Sequence, residues 1–278
     1  MKFKFSKWHG LGNDFVIVNG FTEKIENYKE MAIEVCNRKF GVGADGLVLV
    51  LPSEIADFKM RIFNSDGSEA EMCGNVTRCM ARYVYENGLT KETKITLETK
   101  AGIIKPELVF VEGVLSTIRV DMGEPRLLPH EIPMNNSSKE RIVNELLQVD
   151  GADYYITCVS MGNPHSVIFV DDVAGIDLAA VGPKIETHLV FPKKTNVEFV
   201  QVITKEKVRM RVWERGAGIT LACGTGACAT LVAAVLNNKT ERKAIVELDG
   251  GELFIEWGLD NHIYMSGPAV EVFRGEYL

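Results

Sequence analysis

Nowhere in the 278 residues do apolar side chains run far enough to cross a bilayer, which takes about 20 in succession. The opening stretch MKFKFSKWHGLGNDF also lacks the apolar core of a secretory leader. A membrane-spanning or exported protein is not expected, and the sequence reads as cytoplasmic. Basic residues are short: 31 Lys and Arg against 38 Asp and Glu leave a net charge of −7, with no clustered basic stripe. Nucleic acid and membrane surfaces are therefore not expected partners. Cysteine is sparse, six in all with none in a C-x-x-C pair, so a disulfide scaffold is excluded and reduced thiols are expected. No Gly/Ser-rich or Pro-rich linker appears, although the length exceeds one typical core of roughly 100 to 200 residues. Two small domains are expected, without a boundary marked by composition.

What is present is a repeat. KMRIFNSDGSEAEMCGN (59–75) aligns without gaps on RMRVWERGAGITLACGT (209–225), placing Arg61 on Arg211, Phe63 on Trp213, Cys73 on Cys223 and Gly74 on Gly224. The same spacing of 150 residues sets Gly12-Asn13 on Gly162-Asn163, Leu47–Val50 on Val197–Val200 and Ile95 on Ile245. Two similarly folded halves related by a pseudo-twofold axis are the expected arrangement, with the boundary near 118–123.

Short β-branched strands are expected at 13–19, 46–51, 58–63, 93–98, 154–160, 196–203, 207–213, 244–249 and 252–257. One helix follows each Cys-Gly pair. The first places Val76, Cys79, Met80, Tyr83 and Val84 on one face. The second, ACATLVAAVL (227–236), is apolar nearly all round and so expected to be buried on every side, as inside a curved sheet. Further helices are expected near 28–38 and 176–189, the latter kinked or divided by Pro183. Gly41-Val42-Gly43-Ala44-Asp45-Gly46 fits G-x-G-x-x-G but follows a helix and opens a strand, so it reads as a turn.

Cys73-Gly74-Asn75 and Cys223-Gly224-Thr225 each stand where a loop becomes a helix. Backbone N–H groups there lack intrahelical partners and suit a carboxylate. The partial positive charge of a helix start also favours thiolate over thiol, so both cysteines are expected below the ordinary value of about 8.5. A thiolate on one side of a carbon and a thiol on the other make a two-base racemase. One cysteine before a helix is more often structural. Two at the same repeat position point to chemistry. The spacings C-x5-C (Cys73, Cys79) and C-x4-C (Cys223, Cys228), without a matching His cluster, make a metal site unexpected.

These segments resemble the diaminopimelate epimerase family. The resemblance is carried by His9–Phe15 (HGLGNDF), Asn64–Glu69 (NSDGSE), Met72–Asn75 with Arg78-Cys79, Gly162–His165 (GNPH), Asn196–Phe199 (NVEF), and Glu214–Gly218 leading to Ala222–Cys228. It implies an α+β fold of two pseudo-twofold-related domains, each a curved β-sheet or barrel wrapped around a central helix. The halves would be 1–118, with 266–278 returning to it, and 119–265. It implies interconversion of LL- and meso-2,6-diaminopimelate, in lysine and cell-wall precursor biosynthesis, without pyridoxal phosphate or any other cofactor, and a homodimer. Cys73 and Cys223 are the implied proton carriers, tuned by His165 and Glu214. Asn13, Asn64, Gly74, Asn75, Asn163, Asn196, Glu214, Arg215, Gly224 and Thr225 are implied to hold substrate. The planar fork of Arg215 suits a carboxylate, and asparagine can serve both carboxylate and ammonium. Turn chemistry is the competing explanation for Asn13 and Asn64, and a satisfied core histidine that for His165.

Two residues depart from the family pattern. Val76 stands where Gly or Ala is more usual, so a branched side chain is expected to crowd the carboxylate pocket, and Ile219 stands where many members have Glu. Other functions remain open on sequence alone: a racemase of another amino acid such as histidine, a Cys–His hydrolase or amidotransferase needing one cysteine, or a ligand-binding protein.

Overall fold

The computed structural model describes residues 2–135 and 139–278. These form two compact units, Met1–Asp121 together with Ser266–Leu278, and Met122–Met265. No helix among the described residues is long and apolar enough to cross a membrane.

In chain order the first unit comprises β1 (Phe3–Gly10), β2 (Asn13–Asn19), α1 (Tyr28–Cys36), β3 (Gly46–Leu51), β4 (Phe58–Asn64), β5 (Glu69–Ala70), α2 (Gly74–Glu86), β6 (Leu97–Thr99), β7 (Gly102–Ile104), β8 (Glu107–Val111) and β9 (Val114–Asp121). The second follows with β10 (Glu145–Val149), β11 (Ala152–Ser160), β12 (Pro164–Phe169), α3 (Leu178–Glu186), β13 (Asn196–Thr204), β14 (Lys207–Glu214), β15 (Gly218–Thr220), α4 (Gly224–Leu236), β16 (Lys243–Leu248), β17 (Gly251–Trp257) and β18 (Ile263–Gly267). The chain then enters β19 (Val270–Tyr277), which pairs antiparallel with β1.

The repeat is visible in the strand order. One sheet runs β19-β1-β2-β3-β4-β6-β7 with β5 on β4, the other β10-β11-β12-β13-β14-β16-β17 with β15 on β14 and β18 beyond. Parallel pairs fall at the same places, β2 with β3 and β4 with β6, then β12 with β13 and β14 with β16. Each needs a crossover, supplied in turn by α1, α2, α3 and α4. Register repeats too: Phe15 lies opposite Gly46 as His165 lies opposite Asn196, and Leu49 opposite Arg61 as Phe199 opposite Arg211. Both sheets are open at their edges, which corrects the barrel closure allowed by the sequence.

Central strands are apolar runs because both faces are covered. In the first unit Val16, Val18, Leu47 and Leu49 pack with Ala32, Val35 and Cys36 of α1, while the alternate residues Ile17, Val48 and Val50 are equally buried. In the second, α4 packs against β11, β12, β13, β14, β16 and β17, and Ala227 through Ala234 are all buried. Each fully buried Leu or Val there contributes about 1.5–3 kcal/mol. Val76 is also fully buried in α2, so its branched side chain adds to the core.

Pro183 does not divide α3. It removes one intrahelical donor, but the helix continues, and Thr187 closes it by donating from its backbone N–H and its Oγ1 to the Pro183 carbonyl at 3.2 and 2.7 Å. Gly182 lets α3 lie against Trp213, since a Cβ there would stand 2.5 Å from Trp213 Cγ.

Candidate active site

Among the described residues, the four helices begin in two different ways. Asn27 caps α1, accepting from the Glu30 N–H, and Asp177 caps α3, accepting from the Ala180 N–H. Both are the side chains a helix start prefers. At the same position α2 has Cys73, which makes no capping bond, and α4 has Cys223, whose sulfur accepts from the Gly226 N–H at 3.3 Å. A good cap is typically worth about 1 kcal/mol. At α2 that side-chain bond is missing, and at α4 a sulfur takes the place of the usual oxygen.

Around Cys73 the first unit builds a short chain of polar contacts. Its sulfur lies 3.8 Å from Asn13 Oδ1, which also accepts from Asn75 Nδ2 at 3.0 Å. Asn13 Nδ2 donates to Asp45 Oδ2 at 2.7 Å. Behind it, Arg38 bridges Asp45 and Asp14, and the buried Lys7 meets Asp14 at 2.8 Å. Burial works against the Asp14 charge, yet bonds from Arg38 and Lys7 bring its carboxyl down to about 2. Asn64 is exposed and donates to Ser68 Oγ at 2.9 Å within its own turn.

Cys223 is set in more closely packed surroundings. Its sulfur lies 3.6 Å from Thr225 Oγ1, which accepts from Asn163 Nδ2 at 3.2 Å. Asn163 Oδ1 lies 3.1 Å from His165 Nε2, and His165 Nδ1 lies 2.6 Å from Glu198 Oε1, with both side chains fully buried. Glu214 accepts a hydrogen bond from Thr220 Oγ1 and faces the Cys223 sulfur as a carboxylate. Asn196 binds backbone instead, donating to the Pro164 carbonyl at 2.8 Å and accepting from the Arg215 N–H at 2.9 Å. The exposed Arg215 side chain donates to the Lys193 carbonyl.

Burial, then the charges of Glu214 and Glu198, pushes the Cys223 thiol well above its ordinary value. This runs against the sequence-based expectation of a lowered value at that helix start: burial comes first, and two carboxylates brought in by β13 and β14 add to it. Burial also raises Glu214, against the bond from Thr220. The buried Cys36 and Cys79 are pushed up to about 12 by burial, and Cys158 higher still, which keeps them as thiols. Among the described residues, no three His, Cys, Asp or Glu side chains converge as a metal-ligand set.

Sequence reasoning missed Glu198. The signal was a carboxylate inside the run Val197–Val200, on a strand buried on both faces.

Known structures share this fold. The *Bacillus anthracis* phenazine biosynthesis protein of the PhzF family is 20% identical with a TM-score of 0.71, covering 100% of this chain and 99% of its own. A hydroxyproline epimerase from *Agrobacterium vitis* is 12% identical with a TM-score of 0.68, covering 99% and 92%. At those identities the likeness defines a class by fold alone: sheet-rich α+β proteins of two units with few helices. Sequence then gives the family. The diaminopimelate epimerase profile matches residues 5–128 and 157–272, and the diaminopimelate epimerase of *Pelotomaculum thermopropionicum* is 58% identical over 275 residues, 98% of each chain. The chain belongs to the diaminopimelate epimerase family.

Proposed function

We propose that this chain interconverts LL- and meso-2,6-diaminopimelate, moving the α-proton with Cys73 and Cys223 as a thiolate and thiol couple and using no cofactor or metal. The observation that carries this reading is the pair of cysteines standing where α1 and α3 have ordinary caps, at equivalent positions of one repeated topology. One sulfur removes the proton on one side of Cα, the electron pair delocalises into the adjoining carboxylate, and the other thiol delivers its proton to the opposite side. In the reverse direction the two exchange roles. The N–H groups of Gly74, Asn75, Gly224 and Thr225 serve the carboxylate as negative charge grows on it, and one such donor is worth about 3–4 kcal/mol where it has been removed in other enzymes. His165 and Glu214 tune the thiols. Asn13, Asn64, Asn163, Asn196 and Arg215 hold the non-reacting amino-acid end.

The enzyme works in the cytoplasm on a small molecule, as a homodimer. The edge strand β19 supports the last point, since it exposes Val270, Val272 and Phe273 beside unpaired backbone.

Deuterium from heavy water entering Cα of diaminopimelate, and not of monocarboxylic amino acids, is the expected result. Separate Cys73→Ala and Cys223→Ala variants should each lose epimerisation. Near-normal turnover in either would sink two-base catalysis.

A further inference from the structure

Glu198 has no place in the mechanism above, yet it is fully buried, and its second oxygen, Oε2, has no hydrogen-bond partner. Its first oxygen begins a continuous polar path to the reactive sulfur, through His165 Nδ1 at 2.6 Å, His165 Nε2 to Asn163 at 3.1 Å, Asn163 to Thr225 at 3.2 Å, and Thr225 to Cys223 at 3.6 Å. The path also closes on itself in space. A Cβ on Gly226 would stand 2.8 Å from Glu198 Oε1 and 3.1 Å from Cys223 Sγ, so glycine is what allows carboxylate and sulfur to crowd the same helical turn.

We propose that Glu198 is a positioning residue for the proton transfer: by holding Nδ1–H of His165 it sets the direction of every hydrogen bond from there to Cys223. The inference rests on the reading of Cys223 as a proton carrier. With Glu198 ionised, Nδ1 must donate to it. Two arrangements of the remaining path then satisfy every atom. In the first, Asn163 turns Oδ1 to the histidine and Nδ2 to Thr225. His165 is then an imidazolium donating from both nitrogens, and Thr225 points its hydroxyl hydrogen at the sulfur. A Cys223 thiolate so placed accepts from Thr225 and from the Gly226 N–H. In the second, the Asn163 amide is reversed. Nε2 accepts from Nδ2, Thr225 donates to Oδ1, and the Cys223 thiol donates to Thr225.

Both arrangements contain the same number of protons, imidazolium with thiolate or imidazole with thiol. Reversal of one amide therefore couples the charge on His165 to that on Cys223, and the Glu198 carboxylate is the counter-ion that makes the first arrangement accessible in a buried site. The other titratable groups near Glu198 are Glu214 from β14, the Cys223 thiol and Cys158 from β11, none of which can carry a positive charge, whereas His165 can.

The sign of one substitution separates this from plain repulsion. Glu198 acts on the sulfur directly only through space, and loss of its charge by repulsion alone would release thiolate. In the proposal Glu198→Gln removes the counter-ion of the imidazolium and leaves imidazole with thiol. Alkylation of Cys223, followed by mass spectrometry of its peptide at neutral pH, should become roughly tenfold slower, equivalent to one pK unit. An unchanged or faster rate overturns the proposal. Nitrogen NMR of His165 in the native protein is a second measure needing no variant: Nδ1 should carry a hydrogen throughout the pH range in which the protein is folded, and Nδ1 without one overturns it. Neither readout uses substrate, so failure of diaminopimelate turnover in the native protein would refute the functional reading separately.

Discussion

The guanidinium of Arg78 donates from Nε to the carbonyl of Pro268 at 3.1 Å, which ties the first turn of α2 to the chain just before its last strand. Arg78 is fully buried, with Nη2 on Asn75 Oδ1 at 2.8 Å and Nη1 on the Gly74 carbonyl at 3.3 Å. One cation therefore holds the Gly74 carbonyl next to Cys73 and fixes the Asn75 side chain that reaches Asn13.

Arg78→Met should cost about 1–3 kcal/mol, because it leaves buried and partly buried acceptors without their donor. Arg78→Lys should lose less stability but still lower kcat, since a point charge cannot span three acceptors. Denaturant unfolding with parallel kinetics checks both. A change under about 0.5 kcal/mol for the methionine variant would be that of an ordinary surface site.

Asp14 gives the first unit a pH dependence of definite sign. Its carboxyl is lowered from 3.8 to about 2, so the stability it contributes is present above the unfolded value and is lost as pH falls through the folded one. The contribution is about 2 kcal/mol, and the side chain is only 17% exposed, so screening removes little of it. Acid titration of the unfolding free energy should show a decline between about pH 4 and pH 2. Asp14→Asn should flatten that segment and also weaken the fold at neutral pH, where Lys7 is left buried without its partner.

Much of the fold was legible because the repeat supplies each unit with a copy of itself to read against. The Cys-Gly pairs, the apolar run of α4 and the strands Asn13–Asn19 and Gly46–Leu51 carry periodicity that survives in the structure. Local signals failed where a distant segment decides. Pro183 reads as a break, but α3 is held on both sides by Leu178 and Ile185 in the core. Cys223 reads as an acidic thiol from its helix start, but the fold buries it and then sets Glu214 and Glu198 beside it from neighbouring strands. Of the candidate site residues, Asn13, Cys73 and Asn75 cluster, as do Asn163, His165, Glu214, Cys223 and Thr225, whereas Asn64, Asn196 and Arg215 bond chiefly to neighbouring chain.

Gly182→Ala tests whether close packing of α3 holds the second unit's site. The added methyl would meet Trp213, whose indole N–H donates to Glu186 Oε2 at 2.7 Å, while Glu186 Oε1 accepts from the Gly216 N–H at 3.1 Å. Moving the ring strains the whole corner that carries Glu214. A loss of about 1–3 kcal/mol is expected in thermal or denaturant unfolding. Unchanged stability would mean that α3 shifts freely and does not fix Trp213.

Glu214→Gln should move the Cys223 titration the opposite way from Glu198→Gln. Glu214 faces the sulfur as a second negative group and makes no hydrogen bond to His165, so after burial its charge is the largest influence raising the thiol. The glutamine keeps an oxygen for Thr220 but removes that charge, and the pH at which Cys223 becomes reactive should fall. The corresponding limb of the kcat/KM profile should shift to lower pH with it. If both variants lower the titration, through-space repulsion accounts for both carboxylates and the hydrogen-bond path from Glu198 has no part in catalysis. Opposite shifts would distinguish a carboxylate that acts through His165 from one that acts on the sulfur itself.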